Sequence, residues 1–314
     1  MKIFLKNLSG IKKYFSSKAT VSVESISSAV KLPDGRMLGF SECGDSNGLP
    51  VFYFCGFPGS RLEAKRFHEV ALSNGCRLIG IDRPGMGLSS FNKKQSFLAW
   101  ANDVADFADC IGIKKFSIIG YSGGGPFATA CAYFIPHRLN GLAIVSGLAP
   151  LDSPEARIGM ARHLRVVNRL IQVMPWFSTV MMFVNYLVVK NIKNLNEKML
   201  KQLPEVDRVV FNDPVIAKQL FASSHEAFRS GIAGPAQEMR LIVNPWRFNL
   251  EDIPFPVMIW QGALDGQVPL SHGAIYADSM PNAKLQWFEQ EGHFSLIHNH
   301  IDKILGGVCV TGNR

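Results

Sequence analysis

The segment Phe116-Ser-Ile-Ile-Gly-Tyr-Ser-Gly-Gly-Gly-Pro126 constrains this chain more than any other, because an apolar, strand-like run breaks there into a Gly-x-Ser-x-Gly motif, Gly120 to Gly124. A strand that reverses at once into a helix strains the residue at its apex, Ser122, and leaves the hydroxyl standing clear. Only small neighbours permit such a turn. The run Gly123-Gly124-Gly125-Pro126 then fits a helix start, whose free N–H groups and positive dipole end face any negative charge developing beside Ser122. A glycine-rich cap with a solvated hydroxyl would read the same way locally, so the rest of the chain decides.

A serine nucleophile needs a base and an acid that orients it, and in this kind of architecture they follow in the order Ser, Asp or Glu, His. Pro256-Val-Met-Ile-Trp-Gln-Gly262 reads as a buried strand, and Asp265 lies in the loop beyond it. Lys284-Leu-Gln-Trp-Phe288 is the last strand candidate, followed by Glu291-Gly-His293-Phe294. Ser122, Asp265 and His293 thus all follow strand C-terminal ends, the edge of a parallel sheet where ligands bind. Each has a plainer reading. Asp265 precedes Gly266 and so suits a turn, and His293 is one of eight histidines. Asp152 and Asp252 are competing acids; Asp252 precedes its strand and sits at the wrong end, whereas Asp152 follows a strand ending near Ser146.

Strand and helix patterns alternate along the chain. Residues 26–43 suggest a hairpin turning at Pro33-Asp-Gly35. Strands at 51–55, 77–81, 116–121 and 139–146 are separated by helices near 62–73, 97–111 and 126–134. This predicts an α/β fold, a mostly parallel sheet flanked by helices. From about 152 to 249 helical patterns dominate, and alternation resumes at Pro256. The chain therefore divides into a basic leader (1–20), a core (21–150 and 250–306) and a helical cap insertion (151–249).

Together these residues resemble the α/β-hydrolase family, of the serine hydrolase or esterase type with an inserted cap, across residues 35 to 300. Val51-Phe-Tyr-Phe-Cys-Gly-Phe-Pro-Gly-Ser60 resembles the family's His-Gly-x-Pro oxyanion loop, and Ile81-Asp-Arg-Pro-Gly-Met-Gly-Leu-Ser89 its Asp-x-x-Gly-x-Gly-x-Ser turn. The resemblance implies Ser122 as nucleophile, His293 as base, Asp265 as its orienting acid, and the backbone N–H groups of Phe57 and Gly123 as oxyanion hole. The chain departs from the pattern at Cys55, where the family usually has histidine. A serine nucleophile sets aside the aspartate-dependent epoxide and alkyl halide hydrolases. Esterase or lipase leads, with thioesterase, aminopeptidase and carbon–carbon bond hydrolase open. Proline iminopeptidases resemble the core, but Phe57 replaces their second oxyanion-loop glycine and the cap lacks a carboxylate cluster for a substrate amine. The reading from another class is a non-catalytic ligand receptor or scaffold on the same fold.

Asp82, Gly85 and Gly87 are expected to shape a tight loop, and Arg61 to pair with Asp82 or lie exposed at a helix start in preference to binding an anionic substrate. The apolar stretch Val173–Val189, rich in Met, Phe and Trp, is a candidate lining for a greasy pocket; packing on the core is its plainer reading. A hydrophobic small-molecule substrate is the expected partner. The six cysteines form no Cys-x-x-Cys pair and read as reduced core thiols, which fits a cytoplasmic protein. No metal-ligand spacing or glycine-rich dinucleotide loop is present, so no metal and no nicotinamide or flavin cofactor is expected.

The formal net charge of +8 does not imply nucleic-acid binding, since five lysines without an acid sit in residues 1–20 and the remainder is nearly balanced. Phe4, Leu8, Ile11 and Phe15 recur there at helical spacing, which suits weak contact with an anionic membrane surface; a frayed basic terminus or an organelle-targeting leader fits the same composition.

Overall fold

Two apolar runs without polar alternation, Leu49–Phe54 and Phe116–Tyr121, lie side by side at the centre of the sheet, in keeping with strands covered on both faces. The computed structural model describes residues 27–191 and 200–310; the basic leader lies outside the described residues. The strands are β1 (Ser27–Lys31), β2 (Met37–Gly44), β3 (Leu49–Phe54), β4 (Cys76–Ile81), β5 (Phe116–Tyr121), β6 (Leu139–Val145), β7 (Val257–Gly262) and β8 (Ala283–Phe288). They form one eight-stranded sheet in the order β1-β2-β4-β3-β5-β6-β7-β8. β2 runs antiparallel to β1 and β4, and the other pairings are parallel.

Alternation along the central strands divides the interior into two cores. Phe52, Phe54, Phe116 and Ile118 face one side, against α2 (Phe97–Cys110), α3 (Gly125–Phe134) and α9 (Leu270–Ser279). Val51, Tyr53, Ile119 and Tyr121 face the other, against α1 (His68–Ser73) and α10 (His293–Val310). Phe52 stacks on Phe116 with ring centroids 4.2 Å apart. Each such buried aromatic contributes about 1.5–3 kcal/mol relative to exposure, so the two sides together hold the strand ends in fixed register.

Local signals place several boundaries. Gly35, at φ +89°, closes the β1–β2 turn. Ser96 caps α2 by accepting the N–H of Ala99. The helix expected near 62–73 instead begins as a 3-10 turn, Arg61–Phe67, before α1, and the free Arg61 N–H at its start donates to the Asp82 carboxylate at 2.7 Å. Among the cysteines, Cys110 is exposed and the other five are buried; all six are free.

Between β6 and β7 the described residues form α4 (Arg162–Val173), α5 (Phe177–Asn191), α6 (Glu205–Phe211), α7 (Pro214–Ala227) and α8 (Ala233–Val243). α7 starts where Asp213 accepts the N–H groups of Val215 and Ile216 and Pro214 occupies the first turn. This insertion is tied to the sheet's C-terminal edge at several points. Ser60 N–H donates to Ser223 Oγ at 2.9 Å, and Arg61 pairs with both Asp82 and Glu226 at 2.8 Å. No described helix is long and apolar enough to cross a membrane.

Candidate active site

Ser122 directly follows β5 with φ +53°, a left-handed conformation that a non-glycine residue adopts only under constraint. The constraint comes from close backbone approach: a Cβ on Gly124 would lie 2.2 Å from the Phe54 carbonyl oxygen. One position earlier, a Cβ on Gly123 would lie 2.6 Å from the Phe57 Cβ and 3.2 Å from its nitrogen. Glycine at 123 therefore lets the backbones of Phe57 and Gly123 lie side by side next to the serine.

The three residues picked out by chain order converge. His293 Nε2 lies 3.0 Å from Ser122 Oγ, and His293 Nδ1 lies 2.8 Å from Asp265 Oδ2. Asp152 and Asp252 are not in this chain of contacts. Asp265 Oδ1 accepts the N–H groups of Gln267 and Val268, both at 2.8 Å, which fixes the carboxylate and leaves its other oxygen for the imidazole. The turn reading of Asp265 and its role beside His293 are thus the same geometry.

Electrostatics separates the two fully buried histidines. Burial alone would lower the His293 imidazole, but the charge and hydrogen bond of Asp265, with Asp207 and Glu63 nearby, outweigh it and hold the group above its ordinary range. Burial would likewise raise Asp265, but the His293 charge and the local hydrogen bonds hold it below the usual carboxylate range. His272, by contrast, is lowered to about 4 by burial, and its Nδ1 accepts the Ala149 N–H at 2.8 Å. It is a neutral structural ring.

Two supporting residues escaped the sequence reading. Asp207, in α6 of the insertion, accepts the N–H groups of His293, Phe294 and Ser295 at 2.8–2.9 Å and so caps the helix that carries His293. Burial pushes its carboxyl up, against those three donors. An acid in a surface-patterned helix gives no local signal that it will cap another helix 86 residues later.

Arg83 is the second, and it lies inside a turn that was recognised. Its guanidinium donates to the carbonyls of Cys55 at 2.7 Å and Gly56 at 3.0 Å, while Glu238 of α8 pairs with its remaining edge at 2.7 Å. Both side chains are fully buried. Cys55 makes only a long contact with Arg83, 3.5 Å from its sulfur, and burial pushes the thiol up. The loop that carries Phe57 is therefore supported through its backbone carbonyls by an arginine, which lets residue 55 be a compact buried thiol. Asp82, as expected, is structural: it accepts the N–H groups of Arg61 and Leu88 and pairs with the Arg61 side chain.

A cavity of about 330 Å³ opens over Ser122 and His293. Its apolar wall comes from Phe57, Leu203, Phe211, Leu220, Phe221 and Phe294, and Glu63 is the one Asp, Glu, Lys or Arg among its described lining residues. The stretch Val173–Val189 supplies none of this lining. The plainer reading holds for its inner side: α5 packs Met181 and Met182 with Phe57, Phe228 and Met239, while most of its large apolar residues point outward. Among the described residues no group of three or more His, Cys, Asp or Glu is placed to hold a metal.

A family model described as the α/β hydrolase fold matches residues 50–173. A non-heme chloroperoxidase of Streptomyces lividans is 31% identical over 124 residues, which cover 39% of this chain and 45% of that protein. A 2-hydroxy-6-oxononadienedioate/2-hydroxy-6-oxononatrienedioate hydrolase of Dechloromonas aromatica is 24% identical over 303 residues, covering 92% of this chain and 96% of that one. Among solved structures, an epoxide hydrolase superposes with a TM-score of 0.68 at 18% identity, covering 90% of this chain and 98% of that one. The strand order, the turn at Ser122 and the matched family model agree, and the chain has the α/β-hydrolase fold.

Proposed function

We propose that this protein is a serine hydrolase that cleaves an ester or related acyl bond of a hydrophobic small molecule. The observation that carries the reading is the unbroken path from Asp265 through His293 to Ser122, with contacts of 2.8 and 3.0 Å, at the floor of an apolar cavity. Asp265 holds the His293 proton on Nδ1, leaving Nε2 to accept the Ser122 proton as Oγ attacks the carbonyl carbon. The resulting oxyanion is stabilised by the N–H groups of Phe57 and Gly123, which the Arg83-supported loop and the glycine contact hold together. The imidazolium returns its proton to the leaving group, and water, activated by the same imidazole, releases the acid and regenerates Ser122.

The lining favours an uncharged acyl or aromatic group. A substrate with a carboxylate beside the reacting carbonyl would meet Glu63 and no lysine or arginine among the described lining residues. For that reason a carbon–carbon bond hydrolase acting on a diacid is the weaker reading, despite the similarity to relatives of that kind. The receptor reading has no lost triad position to support it.

The test is intact-mass analysis of the full chain after fluorophosphonate treatment, in parallel with Ser122→Ala. A single adduct on the parent chain, absent from the variant, is expected, and a series of p-nitrophenyl esters then reads the acyl preference. Folded protein that takes no adduct and turns over no ester would overturn the hydrolase reading in favour of a ligand receptor.

A further inference from the structure

The outer side of the helical insertion has an unusual pair of properties. Nine of the seventeen large apolar residues that are exposed among the described residues fall between Ile158 and Val188. On α5 they form one stripe: Trp176 just before the helix, then Val180, Phe183, Val184 and Leu187, at helical spacing, with 41–62% of their surface open. The opposite side of α5, with Ser178 and Met182, is buried. The helix is thus packed on one side and equally apolar on the other.

Its neighbour α4 supplies the charge. Arg162, Arg165 and Arg169 recur at i, i+3 and i+7 on its exposed side, with Val166 and Val173 among them, while Leu164, Val167 and Ile171 pack inward. With Arg157 they line a groove of about 740 Å³. None of these four guanidinium groups has an ion-pair or hydrogen-bond partner among the described residues. From residue 156 to 191 the chain holds four arginines, one lysine and no Asp or Glu. Asp152 and Glu155, just upstream, are exposed and pair with none of the four.

We propose that the α4–α5 face is a membrane-surface docking site, with the α5 stripe entering the boundary between headgroups and acyl chains of an anionic bilayer and the α4 arginines meeting its lipid phosphates. Charge decides the occupant. An apolar stripe alone would suit any apolar partner, but unpaired arginines beside it select a surface that is both apolar and anionic. A second copy of this chain would set the arginines against one another if the faces met symmetrically. The leader, with five lysines and no acid in residues 1–20, is repelled by the same face and would add to its attraction for an anionic bilayer. At 15 residues α5 is too short to span, so it lies along the surface.

The test is flotation of the full chain with vesicles of phosphatidylcholine alone and of phosphatidylcholine with about one-third phosphatidylglycerol. Binding is expected to the anionic vesicles and to weaken when salt rises from about 0.1 M to about 0.5 M. Phe183→Ser with Leu187→Ser, and separately Arg162→Glu with Arg165→Glu and Arg169→Glu, should each lower the bound fraction about tenfold or more. All five side chains are exposed, so circular dichroism should be unchanged. A conservative variant guards against misfolding. Trp100, Trp246 and Trp260 are buried, so quenching by brominated lipid should be lost in Trp176→Phe and kept in Trp287→Phe.

Absence of flotation would overturn the proposal. So would flotation that survives both cap variants but is lost in Lys12→Glu with Lys13→Glu, which would assign binding to the leader. Self-association abolished by the Phe183 and Leu187 substitutions, without vesicle binding, would make the face a contact between copies. Vesicle binding is read without turnover, so it is independent of the hydrolase assignment.

Discussion

Asp207 Oδ2 accepts the backbone N–H of His293 at 2.9 Å, so a carboxylate from the helical insertion holds the first residue of the helix that supplies the proposed base. The same group takes the next two N–H donors of that helix turn. Replacing Asp207 by Ala leaves three donors without their acceptor and should cost about 2 kcal/mol or more in a denaturant melt. Ester hydrolysis should fall about a hundredfold through displacement of the imidazole, with kcat changing more than KM.

The proposed base works only when His293 is neutral. Because its pKa is held above the ordinary imidazole range, kcat/KM should rise with pH and reach half its plateau above pH 6.5, measured in a constant-ionic-strength buffer series. Asp265→Asn removes the charge that raises it. The midpoint should then move to lower pH, and the plateau should fall by about 10⁴, because the amide also favours the wrong imidazole tautomer.

Arg83 and Glu238 are a fully buried pair, and breaking it should be worse than deleting it. Arg83→Met strands a buried carboxylate and is expected to cost about 3–5 kcal/mol in thermal or chemical unfolding. Arg83→Met with Glu238→Leu should recover most of that stability. Hydrolysis should stay low in the double variant, because the carbonyls of Cys55 and Gly56 still lack the donors that hold the loop. Stability rescued without rate is the pattern to look for.

Gly123→Ala places a methyl 2.6 Å from the Phe57 Cβ and must push the two backbones apart. A fall in kcat of about 10²–10³ is expected, with KM little changed, because the lost contacts belong to the oxyanion and not to the bound ester. Fluorophosphonate labelling should slow in parallel.

The sheet and the converging residues were legible because local rules and tertiary demands coincide there. Val51–Phe54 and Phe116–Tyr121 are buried at every position and apolar at all but Ser117 because both faces are covered, and Gly123 and Gly124 are small because backbone passes against them. The pairing of Arg61 with Asp82 was one of two readings open, and the structure takes it because Arg61 directly follows the loop ending at Ser60 and meets the turn that holds Asp82. Val173–Val189 left two readings open because a stretch apolar on all sides has no periodicity to say which side is covered. Asp207 and Glu238 were silent because their partners lie 86 and 155 residues away and neither pairing leaves a mark on its own helix. The cavity wall was missed for the same reason, since Leu203, Phe211, Leu220 and Phe221 become neighbours only through the fold.

The ties between insertion and sheet bear on how substrate gets in. Ser223 holds Ser60, Glu226 holds Arg61, Glu238 holds Arg83, and Asp207 holds the start of α10. A lid swinging away as one body would have to release all four at once, and with them the supports of the loop carrying Phe57 and of the proposed base. The insertion is thus fastened to the residues it covers, and it serves as a fixed wall of the chamber over Ser122 instead of a door.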